Sequence, residues 1–94
     1  MSLKFEEFIH VDGGIRAWVY GIDDNNHTYK FAVTAEALEE HFGMEKGTAN
    51  MSATVQEYRI IIEDMWRDKF SAGEFRGGDT ILLTMEDHPP SLGE

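Results

Sequence analysis

Residues 27–43 read HTYKFAVTAEALEEHFG, and the fold turns on what happens at Thr34. Up to that point the chain alternates. Tyr29, Phe31 and Val33 fall on one face and Thr28, Lys30 and Ala32 on the other, the period of a strand lying in a sheet. From Thr34 the signals are helical. Thr34 is an N-cap residue, Glu36 sits favourably in the first turn, and Gly43 follows the last periodic residue as a left-handed stop. At about 100° per residue, Ala35, Leu38 and Phe42 form one stripe, with Glu36 and Glu40 opposite and Glu39 and His41 on the two borders. Three glutamates and a histidine within six residues invite a metal site, but Glu39 and His41 point about 200° apart and the pair Glu36 and Glu40 has no imidazole beside it. The expectation is an acidic, solvated helix face.

Working outward, the segment KFEEFIHV (4–11) reads as a first strand, closed by a turn at Asp12, Gly13 and Gly14, and IRAWVYGI (15–22) as a second. Asp23, Asp24, Asn25 and Asn26 give the clearest turn signal before the alternating strand, so three strands form a meander. Beyond the short helix, MEKGTANMS is a loop, and a long helix is expected from Ser52 or Ala53 to Ala72, ended by Gly73. Val55, Tyr58, Ile62, Met65 and Trp66 make its apolar stripe, widened by Ile61 and Phe70. Gly77 and Gly78 then turn the chain into a last strand, Thr80 to Met85, and residues 86–94 have the composition of a flexible acidic tail. The expected fold is α+β: a mostly antiparallel sheet of three to four strands with one short and one long helix on one face, in the order β-β-β-α-α-β. Residues 1–94 form a single domain, since a chain of this length with 41% hydrophobic residues has one core.

Composition removes several chemistries. The chain has no cysteine, which excludes disulfides, thiol nucleophiles and zinc knuckles built on thiolates. No apolar run is long enough for a membrane span, and the start MSLKFEEFIH turns charged within a few residues, so neither a span nor a signal peptide is expected and the cytoplasm is the expected location. Eight basic residues against eighteen acidic give a net charge of −10, which repels nucleic acid and anionic membrane surfaces. His10, His27, His41 and His88 are spread without a metal-binding spacing. GEFRGGD (73–79 with its flanks) lacks the lysine and hydroxyl of a phosphate loop and precedes a strand, and no serine has a nucleophile context. No catalytic, cofactor-binding or metal residue is expected, and no cofactor.

The strand ending AVTAEALEEHFG, followed by EYRIIIEDMWRDKF and SAGEFRGGDTILL, resembles a family of short bacterial proteins known as domain of unknown function fourteen-eighty-eight. The likeness runs from about Val19 to Leu83 and is carried by Thr34, Ala37 and Leu38, by Tyr58, Arg59, Ile62 and Glu63, and by Gly73, Phe75 and Gly78. Phe31 stands where members often have a cysteine. The resemblance implies short strands with two helices and supplies no activity.

The leading expectation for function is a small non-catalytic binding or regulatory module acting through contacts with a protein partner. The alternatives are a carboxylate-dependent enzyme, which needs a pocket holding two of Glu36, Glu40, Glu57 and Glu63, and a mimic of nucleic-acid charge. The candidate partner contacts are Arg59, Glu63 and Ile60. Arg59 borders the apolar stripe of the long helix and sits four residues before Glu63; its guanidinium is expected first to serve the fold, stacking on the Trp66 side of the helix or bonding the end of a strand, with a partner's carboxylate as the alternative. Ile60 falls on the polar side with Gln56, Glu63 and Arg67, where an isoleucine contacts either a second layer of the same chain or a neighbouring subunit, and a homodimer is the expectation.

Overall fold

The computed structural model describes residues 3–45 and 50–89. The alternating stretch forms β4 (Thr28–Thr34), paired antiparallel along its whole length with β3 (Arg16–Ile22), so that Val19 faces Phe31 and Trp18 faces Ala32. Two short strands, β1 (Lys4–Phe5) and β2 (His10–Asp12), share the outer edge of β3, both antiparallel. On the other side β5 (Thr80–Leu83) lies parallel to β4. A parallel neighbour requires a crossover. Here the crossover is the helical part of the chain: α1 (Ala35–Phe42), α2 (Met51–Glu57) and α3 (Arg59–Ser71). The fold is therefore α+β with a mostly antiparallel sheet, as the sequence pattern indicates.

The helices cover one face of the sheet. Ala17 and Val19 of β3, Phe31 and Val33 of β4, and Ile81 and Leu83 of β5 point into that layer, where they meet Leu38, Phe42, Val55, Ile62 and Trp66. Trp66 is fully buried and still satisfies its indole N–H, which donates to the carbonyl of Ala32 at 2.9 Å. The ring of Phe31 is flanked by Phe5 at 4.9 Å and Trp66 at 5.9 Å. Thr34 and Gly43 act as the sequence indicates: the Thr34 hydroxyl accepts from the N–H of Ala37 at 3.1 Å, and Gly43 takes φ 72° and returns an N–H to the carbonyl of Leu38.

Three features depart from the expected plan. The first strand is two pieces, because the carboxylate of Glu6 accepts the N–H of Tyr20 at 2.7 Å and takes the place of a backbone partner. The long helix is two helices that meet at Tyr58, with φ −108° and ψ 24°. No proline or glycine is present there. The break falls where the Tyr58 ring packs on Phe42, centroids 5.2 Å apart, and where Arg59 turns back toward the β1–β2 segment. Tyr58 N–H to Thr54 and Ile62 N–H to Tyr58 keep the two helices stitched together. The third departure is the start of the expected tail. Asp87 binds the hydroxyl and N–H of Thr84 and, at 2.9 Å, the ammonium of Lys69, so the stretch after β5 is a strap held against α3. Residues 46–49, expected as part of a loop, and 90–94, expected as part of the tail, lie outside the described residues.

Candidate functional site on the uncovered sheet face

The pleat sends every second side chain of the sheet away from the helices. From β3 these are Arg16, Trp18, Tyr20 and Ile22, from β4 Thr28, Lys30, Ala32 and Thr34, from β2 His10 and Asp12, and from β5 Thr80 and Leu82. No element among the described residues covers this face, and it carries aromatic rings where a solvated face ordinarily carries polar groups. Tyr20 is 41% exposed, Ile22 44% and the neighbouring Phe8 66%.

The rings are ordered around Trp18. His10 stacks on it from β2, with centroids 4.1 Å apart and planes 13° from parallel. The ammonium of Lys30 lies 4.1 Å from the indole centroid. A parallel ring and a cation cannot share one face at that distance, so the indole stands between them, with His10 on the β2 side and Lys30 on the β4 side. Tyr20 meets Trp18 edge to face at 4.9 Å and His10 at 5.4 Å, and Phe8 meets His10 at 4.7 Å. His10 is fixed from behind by Glu6, whose carboxylate accepts its Nε2–H at 3.0 Å while also accepting Tyr20 N–H. Both π faces of Trp18 are thus occupied within the chain. What the cluster offers outward is ring edges and an apolar rim, a surface for side chains to pack on, with no free stacking slot for a base.

Arg59, Glu63 and Ile60 are on the opposite layer. Arg59 is 16% exposed and spends its guanidinium inside the fold: Nε–H donates to Glu63 at 2.6 Å, and the two amino groups donate to the backbone carbonyls of Glu6 and Glu7. Glu63 also faces Arg67 at 3.7 Å. Ile60 is 79% exposed beside the helix break, next to a shallow cavity of 380 Å³ lined by Gln56, Glu57, Tyr58 and Ile61. A second cavity, 240 Å³, lies under the strap between Met65, Lys69, Leu83 and Asp87. His41 and His88, far apart in sequence, meet at its rim with rings 4.9 Å apart, and His41 donates its Nε2–H to the carbonyl of Met85. Of the four carboxylates an acid–base enzyme was expected to use, Glu36, Glu40 and Glu57 are exposed and Glu63 is engaged by two arginines. Among the described residues no three His, Asp or Glu converge as an ion site, and no helix is long and apolar enough to cross a membrane.

The sequence alone assigned no functional role to the residues of the aromatic face. Its signal was present in IRAWVYGI, where Trp18, Tyr20 and Ile22 alternate with Ala17, Val19 and Gly21. A strand apolar on both faces beside a sheet with helices on only one leaves apolar side chains uncovered.

A two-layer α+β domain with one open, ring-bearing sheet face is the class that these features define. The family described as protein of unknown function (DUF1488) matches residues 4–83, which is most of the chain, and the protein belongs to that family. No curated protein and no solved structure matches it.

Proposed function

We propose that this protein is a small non-catalytic binding module that acts through protein contacts, with the uncovered sheet face as its recognition surface. The observation that carries this reading is the ordered cluster Phe8, His10, Trp18 and Tyr20: an exposed apolar surface costs solubility, and one built from mutually supported rings marks a place of contact. Aromatic anchors that are already positioned lose little rotamer freedom on binding. The net charge of −10 supports protein over nucleic acid as the contact class, and the cytoplasm fits a chain without cysteine.

A photo-reactive side chain placed at Tyr20, and in a second variant at Glu36 on the exposed side of α1, tests this in living cells. Discrete protein adducts from position 20 and none from position 36 are expected. Adducts from position 36 alone, or from neither, overturn the assignment.

A further inference from the structure

We propose that the first occupant of the uncovered sheet face is a second copy of this chain, giving a two-fold dimer in which the two sheets pack face to face with the helical layers outermost. The proposal rests on the binding reading above and names its partner. Charge is the argument. The uncovered face holds the cations Lys4, Arg16 and Lys30 against the carboxylates Glu6 and Asp12, with Asp23 and Asp24 at its rim beside Lys4 and Ile22, which leaves five of the eight basic and fourteen of the eighteen acidic residues for the remainder of the chain. Arg16 and Asp12 already pair at 3.6 Å, and Glu6 is paired with His10. Two copies of a strongly acidic molecule repel one another least along the approach that turns the acidic helices apart, and this face is that approach.

The face is also self-complementary. A two-fold axis between the sheets and parallel to the strands lays the β1–β2 edge of one copy over the β4–β5 side of the other, at the same height along the strands. Glu6 is level with Tyr20, to whose N–H it is bonded, and Lys30 is the register partner of Tyr20 on the far side. The symmetry therefore sets Glu6 against the second copy's Lys30, twice, on either side of a centre filled by Trp18, Tyr20 and Ile22. An isologous interface needs that pattern: each surface is its own complement. Sheets that pack this way keep their strands within about 30° of each other, with side chains interdigitated between them.

Sedimentation velocity on the full chain, from low micromolar to near millimolar concentration and at low and high salt, reads the result. A monomer–dimer equilibrium that tightens as salt screens the acidic layers is expected. Tyr20→Lys should weaken it at least tenfold while leaving the far-ultraviolet helical signal intact, and Lys30→Glu, which sets like charges opposite Glu6, should do the same. Ile60→Lys, on the other layer, should leave it unchanged. A monomer in every condition overturns the dimer, and so does a dimer lost with Ile60→Lys but kept with Tyr20→Lys. If the chain is monomeric and cross-links from position 20 still reach another protein, the binding reading survives without the dimer. If neither appears, both fall.

Discussion

Arg59, the first residue of α3, donates its guanidinium to the backbone carbonyl of Glu6, 53 positions earlier in the chain. A second amino group reaches the carbonyl of Glu7 and Nε–H holds the Glu63 carboxylate at 2.6 Å. One planar, multi-donor group thus ties the helical layer to the segment that interrupts the edge strand, and the same segment supplies the Glu6 carboxylate that fixes His10 and Tyr20. The aromatic face depends on a residue from the opposite side of the molecule.

Arg59→Ala is therefore expected to destabilise the fold by about 1.5 to 3 kcal/mol, because it strands two carbonyls and leaves Glu63 without its closer partner. Urea unfolding measures this. A loss below about 0.5 kcal/mol, the range of ordinary surface truncations, would remove Arg59 from the structural network and return it to the set of partner contacts. Arg59→Lys should fall between, since an ammonium cannot fork to two carbonyls and a carboxylate at once.

Gly21 shows why β3 is apolar on both sides and small on one. A Cβ at this position would meet Cε2 of Phe31 at 2.5 Å and Cδ2 at 3.0 Å, in the core between Phe5 and Phe31. Those rings are held by Trp66 and Phe70 and have little room to move. Gly21→Ala is expected to cost about 1 to 3 kcal/mol through overpacking, measured by thermal unfolding, although β3 gains a better strand former. A variant as stable as wild type would show that the Phe31 ring can shift.

The local signals in the sequence were sufficient where one residue does one job. Thr34 caps, Gly43 stops α1, and the alternation of β4 sets its inward face, each by short-range geometry that a single strand or turn enforces. The break at Tyr58 and the split of the edge strand were not legible, because both arise from contacts across the fold: Tyr58 with Phe42, Glu6 with Tyr20, and Arg59 with Glu6 and Glu7. Helical periodicity continues through Tyr58, so the wheel placed Val55, Ile62, Met65, Trp66 and Phe70 in the core correctly while missing the joint. The aromatic face was hidden for a similar reason. His10, Trp18 and Lys30 stand on three different strands, and only the pairing register makes them one surface.

Trp66 anchors the two layers by a polar contact inside the core. Trp66→Phe keeps an aromatic ring but removes the N–H that donates to Ala32 at 2.9 Å and leaves space where the larger ring stood. The expected loss is about 2 to 4 kcal/mol, combining the lost indole bond with a partial cavity, and amide exchange in β4 should accelerate next to Ala32. Unchanged exchange at those amides would mean that the indole bond does not hold the strand.

The strap after β5 should respond to pH at both ends of the scale. Burial pushes the Asp87 carboxyl up, but the N–H of Thr84 and the ammonium of Lys69 outweigh it and hold the group below its ordinary 3.8. For Lys69, burial works downward and is outweighed by Asp87 and Glu74, so the ammonium sits above its ordinary 10.5. A lowered carboxyl stabilises the fold at pH values above 3.8, and that contribution is lost as the pH falls through the lower folded value. A raised ammonium stabilises at pH values below 10.5, and its contribution is lost as the pH rises through the higher folded value. Between these limits the stability difference between wild type and Asp87→Asn should be constant and in favour of wild type. Below 3.8 it should shrink toward zero, because protonated Asp87 no longer attracts Lys69. Denaturant titrations of both proteins at a series of pH values give the curve. A difference that persists undiminished into the most acidic samples would show that the negative charge of Asp87 takes no part in holding the strap, and that its hydrogen bonds with Thr84, together with the His41 contact with Met85, hold it without an ion pair.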